Sequence, residues 1–181
     1  MKNPFLIGTK VYLRPLESED APLLVPWVND VEVTRTLASF HRPLNLQTEV
    51  EFIERSRKDE QVVVFGIAAK KTDMLIGATG LHQINWRDRH AEFGIFIGQK
   101  SAWGQGYGTE VTVLITGYAF ETLNLHRVWL RVQEDNVRGV KAYEKVGFHQ
   151  EGILRQHKYR EGRYHNVLVM GILQEEWRQR R

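Results

Sequence analysis

The stretch Ile95-Phe96-Ile97-Gly98-Gln99-Lys100-Ser101-Ala102-Trp103-Gly104-Gln105-Gly106-Tyr107-Gly108-Thr109-Glu110 runs from an apolar strand, through a glycine-rich turn, into a helix. Val111, Leu114, Ile115, Tyr118 and Ala119 recur at helical spacing, which predicts a helix over residues 109–123. The first turn of a helix carries backbone N–H groups without partners. Those groups, with the helix dipole, favour an anion there. Glycines let the backbone approach the anion and adopt positive φ. Strand, glycine loop and helix in this order make a cradle for a diphosphate. Alternating glycines also occur in ordinary loops, so the turn by itself does not name a ligand. It is not a P-loop, because no Gly-Lys-Ser/Thr follows. A Gly-x-Gly-x-x-Gly frame would need glycine at Thr109 or Val111.

Outward from this loop the pattern is mixed. Residues 10–14 alternate polar and apolar and read as a strand ended by Pro15. Ser18 can cap a helix running to about residue 29, with Pro22 tolerated in its first turn and Pro26 expected to kink it. A second helix is expected near 47–58, with Val50, Phe52 and Ile53 on its apolar side. Strands are expected over 62–69, 74–84 and 92–98, the first two joined through Lys71-Thr72-Asp73. Beyond the glycine loop and its helix come a strand at 126–132 and a helix at 136–146, stopped by Gly147. Two more strands follow from Phe148, turning through Glu161-Gly162, the last at 164–173. A meander followed by strand–helix–strand–helix–strand predicts one α+β domain over residues 1–181, with a mixed, mostly antiparallel sheet flanked by helices.

A second cluster is Asn136-Val137-Arg138-Gly139-Val140-Lys141-Ala142-Tyr143-Glu144-Lys145-Val146-Gly147-Phe148. Asn136 is a good N-cap. Tyr143 offers a phenolic O–H that can donate a hydrogen bond or a proton. Taken alone, this is equally a capped amphipathic helix with Tyr143 packed at its edge.

Together the two clusters resemble the Gcn5-related N-acetyltransferase (GNAT) superfamily. That family's loop reads Gln/Arg-x-x-Gly-x-Gly/Ala, here Trp103-Gly104-Gln105-Gly106-Tyr107-Gly108. Its later motif runs Asn-x-x-Ala-x-x-x-Tyr-x-x-x-Gly-Phe in outline. Asn136, Tyr143, Gly147 and Phe148 match it, with Gly139 as the small residue. The opening Val11-Tyr12-Leu13-Arg14-Pro15-Leu16 and the closing Tyr164-His165-Asn166-Val167-Leu168-Val169-Met170 look like the subgroup of ribosomal-protein alanine and spermidine acetyltransferases. Trp103 stands where the family has Gln or Arg, which removes one side-chain contact to phosphate. The stretch Ser39-Phe40-His41-Arg42-Pro43-Leu44 lacks the acidic residues of the spermidine enzymes, and its basic pair opposes a polycation.

The resemblance implies acetyl-CoA as co-substrate and a primary amine as acceptor: a protein N-terminus, a small-molecule amine or a polyamine. Trp103 to Thr109 would hold the diphosphate, the backbone of Ile95, Phe96 and Ile97 would pair with the pantetheine arm, and Asn136 would touch that arm. Tyr143 would donate to the departing thiolate. Glu92 matches a frequent position for a base, acting directly or through water; a surface carboxylate pairing with Arg89 is the alternative. At pH 7 roughly a tenth of an α-amine is neutral, against well under 0.1% of an alkyl amine, so an N-terminal acceptor needs less help from a base. A non-catalytic coenzyme A or acidic-ligand sensor on this fold is the competing function, and dimers are frequent among similar proteins.

Composition narrows the field. The 181 residues are 42% hydrophobic and 10% aromatic, enough for a sizeable core. With no cysteine there is no disulfide, thiolate zinc site or cysteine nucleophile, so direct transfer in a ternary complex is expected. This also fits a reducing cytoplasm. Residues 1–8 are too short and polar for a signal peptide, and no apolar run suits a membrane span. A net charge of +3 does not by itself make a nucleic-acid protein. The seven histidines lack metal-ligand spacing, so no metal is expected. Arg155, Lys158, Arg160 and Arg163 form a basic hairpin, read with the terminal Arg178-Gln179-Arg180-Arg181 as solvated surface.

Overall fold

A computed structural model describes residues 1–37 and 42–180. Among the described residues eight strands form one sheet: β1 (Leu6–Ile7), β2 (Val11–Pro15), β3 (Val63–Ala69), β4 (Leu75–Asn85), β5 (His90–Ile97), β6 (Arg127–Gln133), β7 (His149–Arg160) and β8 (Arg163–Leu173). The spatial order is β1-β2-β3-β4-β5-β6-β8-β7. Every neighbouring pair is antiparallel except β5 and β6, which are parallel and joined through the glycine loop and a helix. The helices are α1 (Ala21–Val28), α2 (Val31–Thr34), α3 (Leu46–Ser56), α4 (Tyr107–Gly117), α5 (Val137–Val146) and α6 (Gln174–Gln179).

Strand alternation sends side chains to two cores. On one face Val11, Leu13, Ile67, Phe93, Leu130 and Ile172 pack against Val111 and Ile115 of α4, Val146 of α5 and Trp177 of α6. On the other, Leu75 and Ala78 pack with Leu16, with Leu24 of α1 and with Ile53 of α3. Burying each such large aliphatic side chain contributes about 1.5–3 kcal/mol. The start of α1 is pinned by Asp20, not by a Ser18 cap. The Asp20 carboxylate accepts both Arg14 guanidinium nitrogens at 2.7 Å and the Glu17 N–H at 2.9 Å. Arg14 and Asp20 are both buried, and the guanidinium helps hold the Asp20 carboxyl below its usual range against the opposing effect of burial. Pro26 lies inside α1, which ends two residues later.

The expected helix at 109–123 begins earlier and changes pitch. Gly106, at φ +84°, is the N-cap of α4, and residues Tyr118–Thr122 form a π-turn closed by the Leu123 N–H on the Tyr118 carbonyl. β1, α2 and α6 are absent from the sequence reading because two to six residues are too few to show a period. α6 carries the basic C-terminal run, and its Arg178, Gln179 and Arg180 are exposed, as expected. Gly147 ends α5 at φ +115°, as expected.

Candidate active site

The parallel pair β5–β6 does not stay paired. Register runs His90↔Arg127, Ala91↔Val128 and Glu92↔Trp129, and there the pairing ends, while β5 continues against β4 to Ile97. The Gly98 N–H reaches the β4 carbonyl of Ile76. By alternation the backbone groups of Phe93, Ile95 and Ile97 face away from β4, into the opening gap. The Ile97 carbonyl accordingly accepts Trp103 Nε1–H at 2.8 Å. A linear ligand with amide groups can extend the sheet here, since Phe93 and Ile95 present strand-edge donors and acceptors.

At the far end of the gap sits the glycine loop. Gly104 (φ +74°) and Gly106 (φ +84°) are left-handed, and Gly104 and Gly108 have open space where a Cβ would be. The loop backbone at Gly104 and Gly108 therefore stands clear of neighbouring side chains. Trp103 anchors the loop on β5 through its indole N–H and lies under the Arg138 guanidinium, 5.6 Å from the ring centroid. Lys10 carries no local sequence signal for this loop. Its Nζ donates to the Gln105 carbonyl at 3.0 Å and sits 3.6 Å from a Cβ built on Gly106, while its own N–H is held by Glu110. Only tertiary structure brings the start of β2 to this loop. The loop thus has amides, two nearby cations and no overhanging side chain, which fits a diphosphate.

Tyr143 and Glu92 flank the point where the strands part, on opposite faces. Tyr143, half-buried on α5, meets Phe93 edge-on at 6.1 Å and Phe148 at 6.1 Å. Its hydroxyl has no hydrogen bond among the described residues, and burial pushes its pKa up to about 12. Asn136 caps α5 by accepting the Gly139 N–H at 3.1 Å, and a Cβ at 139 would fall 2.6 Å from the Asn136 side chain, which would then have to shift. Glu92 is 12% exposed and is gripped bidentately by Arg131 of β6, at 2.8 and 3.0 Å. The pairing with Arg89 is not found; Arg89 instead binds Asn124. Opposite Glu92 in the β4–β5 register stands His82, whose burial lowers its pKa against the pull of Glu92, leaving a neutral imidazole at pH 7.

On the Glu92 face a cavity of about 420 Å³ opens beside Arg131, lined also by Thr36, Gln133, His157, Lys158 and Val167. The basic hairpin is only partly solvated. Arg155 and Arg163 are exposed, but Arg160 reaches the carbonyls of Thr34 and Leu37, and Lys158 is 8% exposed. Hairpin and α2 segment pack together there, burying charges that look like surface in sequence. Of the stretch argued to oppose a polycation, Ser39, Phe40 and His41 lie outside the described residues.

A splayed parallel pair, a glycine-capped helix at its end and a tyrosine beside the split are the arrangement that the resemblance to an acyl-coenzyme A-dependent transferase implies. The chain matches the acetyltransferase (GNAT) domain family over residues 10–149 and belongs to that family. It is 30% identical to the spermidine N(1)-acetyltransferase of Escherichia coli strain K12, covering 92% of this chain and 88% of that one. A Bacillus subtilis protein provisionally named ribosomal N-acetyltransferase YdaF is 28% identical, over 94% of this chain and 95% of its own length. Among solved structures, the spermidine N-acetyltransferase from Vibrio cholerae in complex with CoA and spermine superposes with a TM-score of 0.86 at 29% identity, covering 94% and 99% of the two chains. The chain is an acyltransferase that uses acetyl-CoA and acts on an amine.

Proposed function

We propose that this enzyme acetylates a primary amine, a protein N-terminus or a small-molecule amine, by direct attack within a ternary complex, and that it does so in the cytoplasm. The observation that carries the reading is the gap between β5 and β6, with Tyr143 on one face and Glu92 on the other. Bound acetyl-CoA supplies an activated acetyl thioester. The amides of residues 104–109, with Lys10, bind the diphosphate; Trp103 fixes the loop to β5. The free edge of β5 at Phe93 and Ile95, with Asn136 at the head of α5, orients the arm, and a backbone N–H there polarises the carbonyl; Phe96, expected from the sequence to share this role, turns its backbone to β4, and the Ile97 carbonyl holds Trp103. Fixing amine and carbonyl in attack geometry supplies much of the rate.

Glu92 takes the proton lost from the amine as the C–N bond forms, directly or through a water. Its clamp to Arg131 holds the carboxylate at the mouth of the gap. Tyr143 donates its O–H to the sulfur as the C–S bond breaks. The absence of cysteine from the chain supports transfer without a thiol-bound acetyl-enzyme. A polyamine acceptor is the second reading, supported by the spermidine-acting relatives. Release of coenzyme A thiol, measured over N-terminal peptides, amino acids, aminoglycosides and polyamines, tests both. Release with none of them, despite cofactor binding, would favour a sensor and overturn acetyl transfer.

A further inference from the structure

Lys158 projects from β7 with its ammonium buried, and Nζ has no hydrogen-bond partner among the described residues. It is the register partner of His165 and so shares the face of Val167, Gln133 and Arg131, the face that carries the cavity. Buried ammonium groups are stable when paired with an anion. Arg131 in the same wall already holds Glu92, and Asp135, among the described residues the one acid that acts favourably on Lys158, lies 3.1 Å from His165 Nδ1 and 3.9 Å from Arg163. Arg160 adds a like charge. The cavity wall therefore holds a desolvated cation, and Arg131 in the same wall is already neutralised by Glu92.

We infer that the amine acceptor carries a carboxylate, which enters the cavity between β6 and β7 and pairs with Lys158, so that the site selects an acidic peptide or amino-carboxylate over a polycation. This rests on the acetyl-transfer reading above and names the acceptor class for it. Arg131 links the two halves, since it lines the cavity and also clamps Glu92 where β5 and β6 part. An acceptor whose carboxylate lies on Lys158 thus extends its amine toward the same arginine and the mouth of the gap. A polyamine would instead bring protonated nitrogens against Lys158 and Arg160, which repels.

The test uses the full chain with three acceptors: a peptide amide with N-terminal alanine and an internal glutamate, the same peptide with glutamine, and spermidine. The wild type should favour the glutamate peptide over the glutamine peptide by about tenfold or more in kcat/KM, carried by KM, with spermidine last. In Lys158→Met that ratio should fall to within about twofold, with coenzyme A affinity by calorimetry retained as the sign of an intact fold. Calorimetry of the N-acetylated glutamate peptide onto the coenzyme A complex should show the same dependence on Lys158 without turnover. A ratio unmoved by Lys158→Met, or spermidine as the best acceptor, overturns the inference and leaves acetyl transfer standing. Thiol release with no acceptor overturns acetyl transfer itself.

Discussion

Replacing Tyr143 by Phe separates two ways a phenol can help a thiolate leave. Burial pushes the hydroxyl to about 12, whereas a thiol titrates near ~8.5. Handing the proton over completely is then uphill by about 3.5 pH units, or about 5 kcal/mol. A hydrogen bond to the developing thiolate carries no such penalty. A bond to a charged acceptor contributes about 1.5–3 kcal/mol, so Tyr143→Phe should lower kcat by about 10- to 150-fold. The fold should be untouched, because the ring keeps its contacts with Phe93 and Phe148 and the hydroxyl has no partner among the described residues to lose. Steady-state thiol release from pH 6 to 9, with a thermal melt of each protein, measures this. The deficit should be constant across that range, since a group at about 12 does not titrate in it. A variant within about threefold of wild type, or a wild-type basic limb near pH 8 that the variant lacks, refutes the reasoning.

Glu92→Gln should lower kcat by about 10²-fold and alter the acidic limb of the pH–rate profile; an unchanged limb would remove Glu92 from the base role. Gly106→Ala forces an alanine to φ +84° with little steric obstruction, so it should cost about 1–2 kcal/mol in a denaturant melt and raise KM for acetyl-CoA. Lys158→Met should stabilise the protein at pH 7. The lysine is displaced to about 8 from 10.5, so its protonated form is disfavoured in the fold by about 3 kcal/mol at 1.36 kcal/mol per pH unit. Between those values the unfolded chain binds more protons, so wild-type stability should rise as pH climbs from 8 toward 10.5 and the advantage of the variant should disappear. Denaturant melts at pH 7 and 10 give the comparison.

Local chemistry made much of this site readable. Gly106 and Gly147 stand where the chain turns left-handed, Asn136 caps α5, and the strand runs alternate or stay apolar over five or more residues. What stayed hidden depends on register and packing. The partner of Glu92 is Arg131, 39 residues away, and is chosen by the three-pair contact between β5 and β6. Nothing local to Lys10 places it at a loop 95 residues downstream. Lys158 lies in a run of basic residues that reads as solvated hairpin; only its register with His165 and the packed α2 segment reveal a buried cation. His82 shows no local signal either, because its neighbour Glu92 comes from the next strand.

The proposed chemistry depends on the grip of residues 104–109 and the unpaired edge of β5 on coenzyme A. Amide hydrogen exchange with and without saturating coenzyme A tests that grip directly. Protection should rise at residues 93–97 and 104–109, with smaller change along α1 and α3. Tight binding with exchange unchanged at both segments would contradict it.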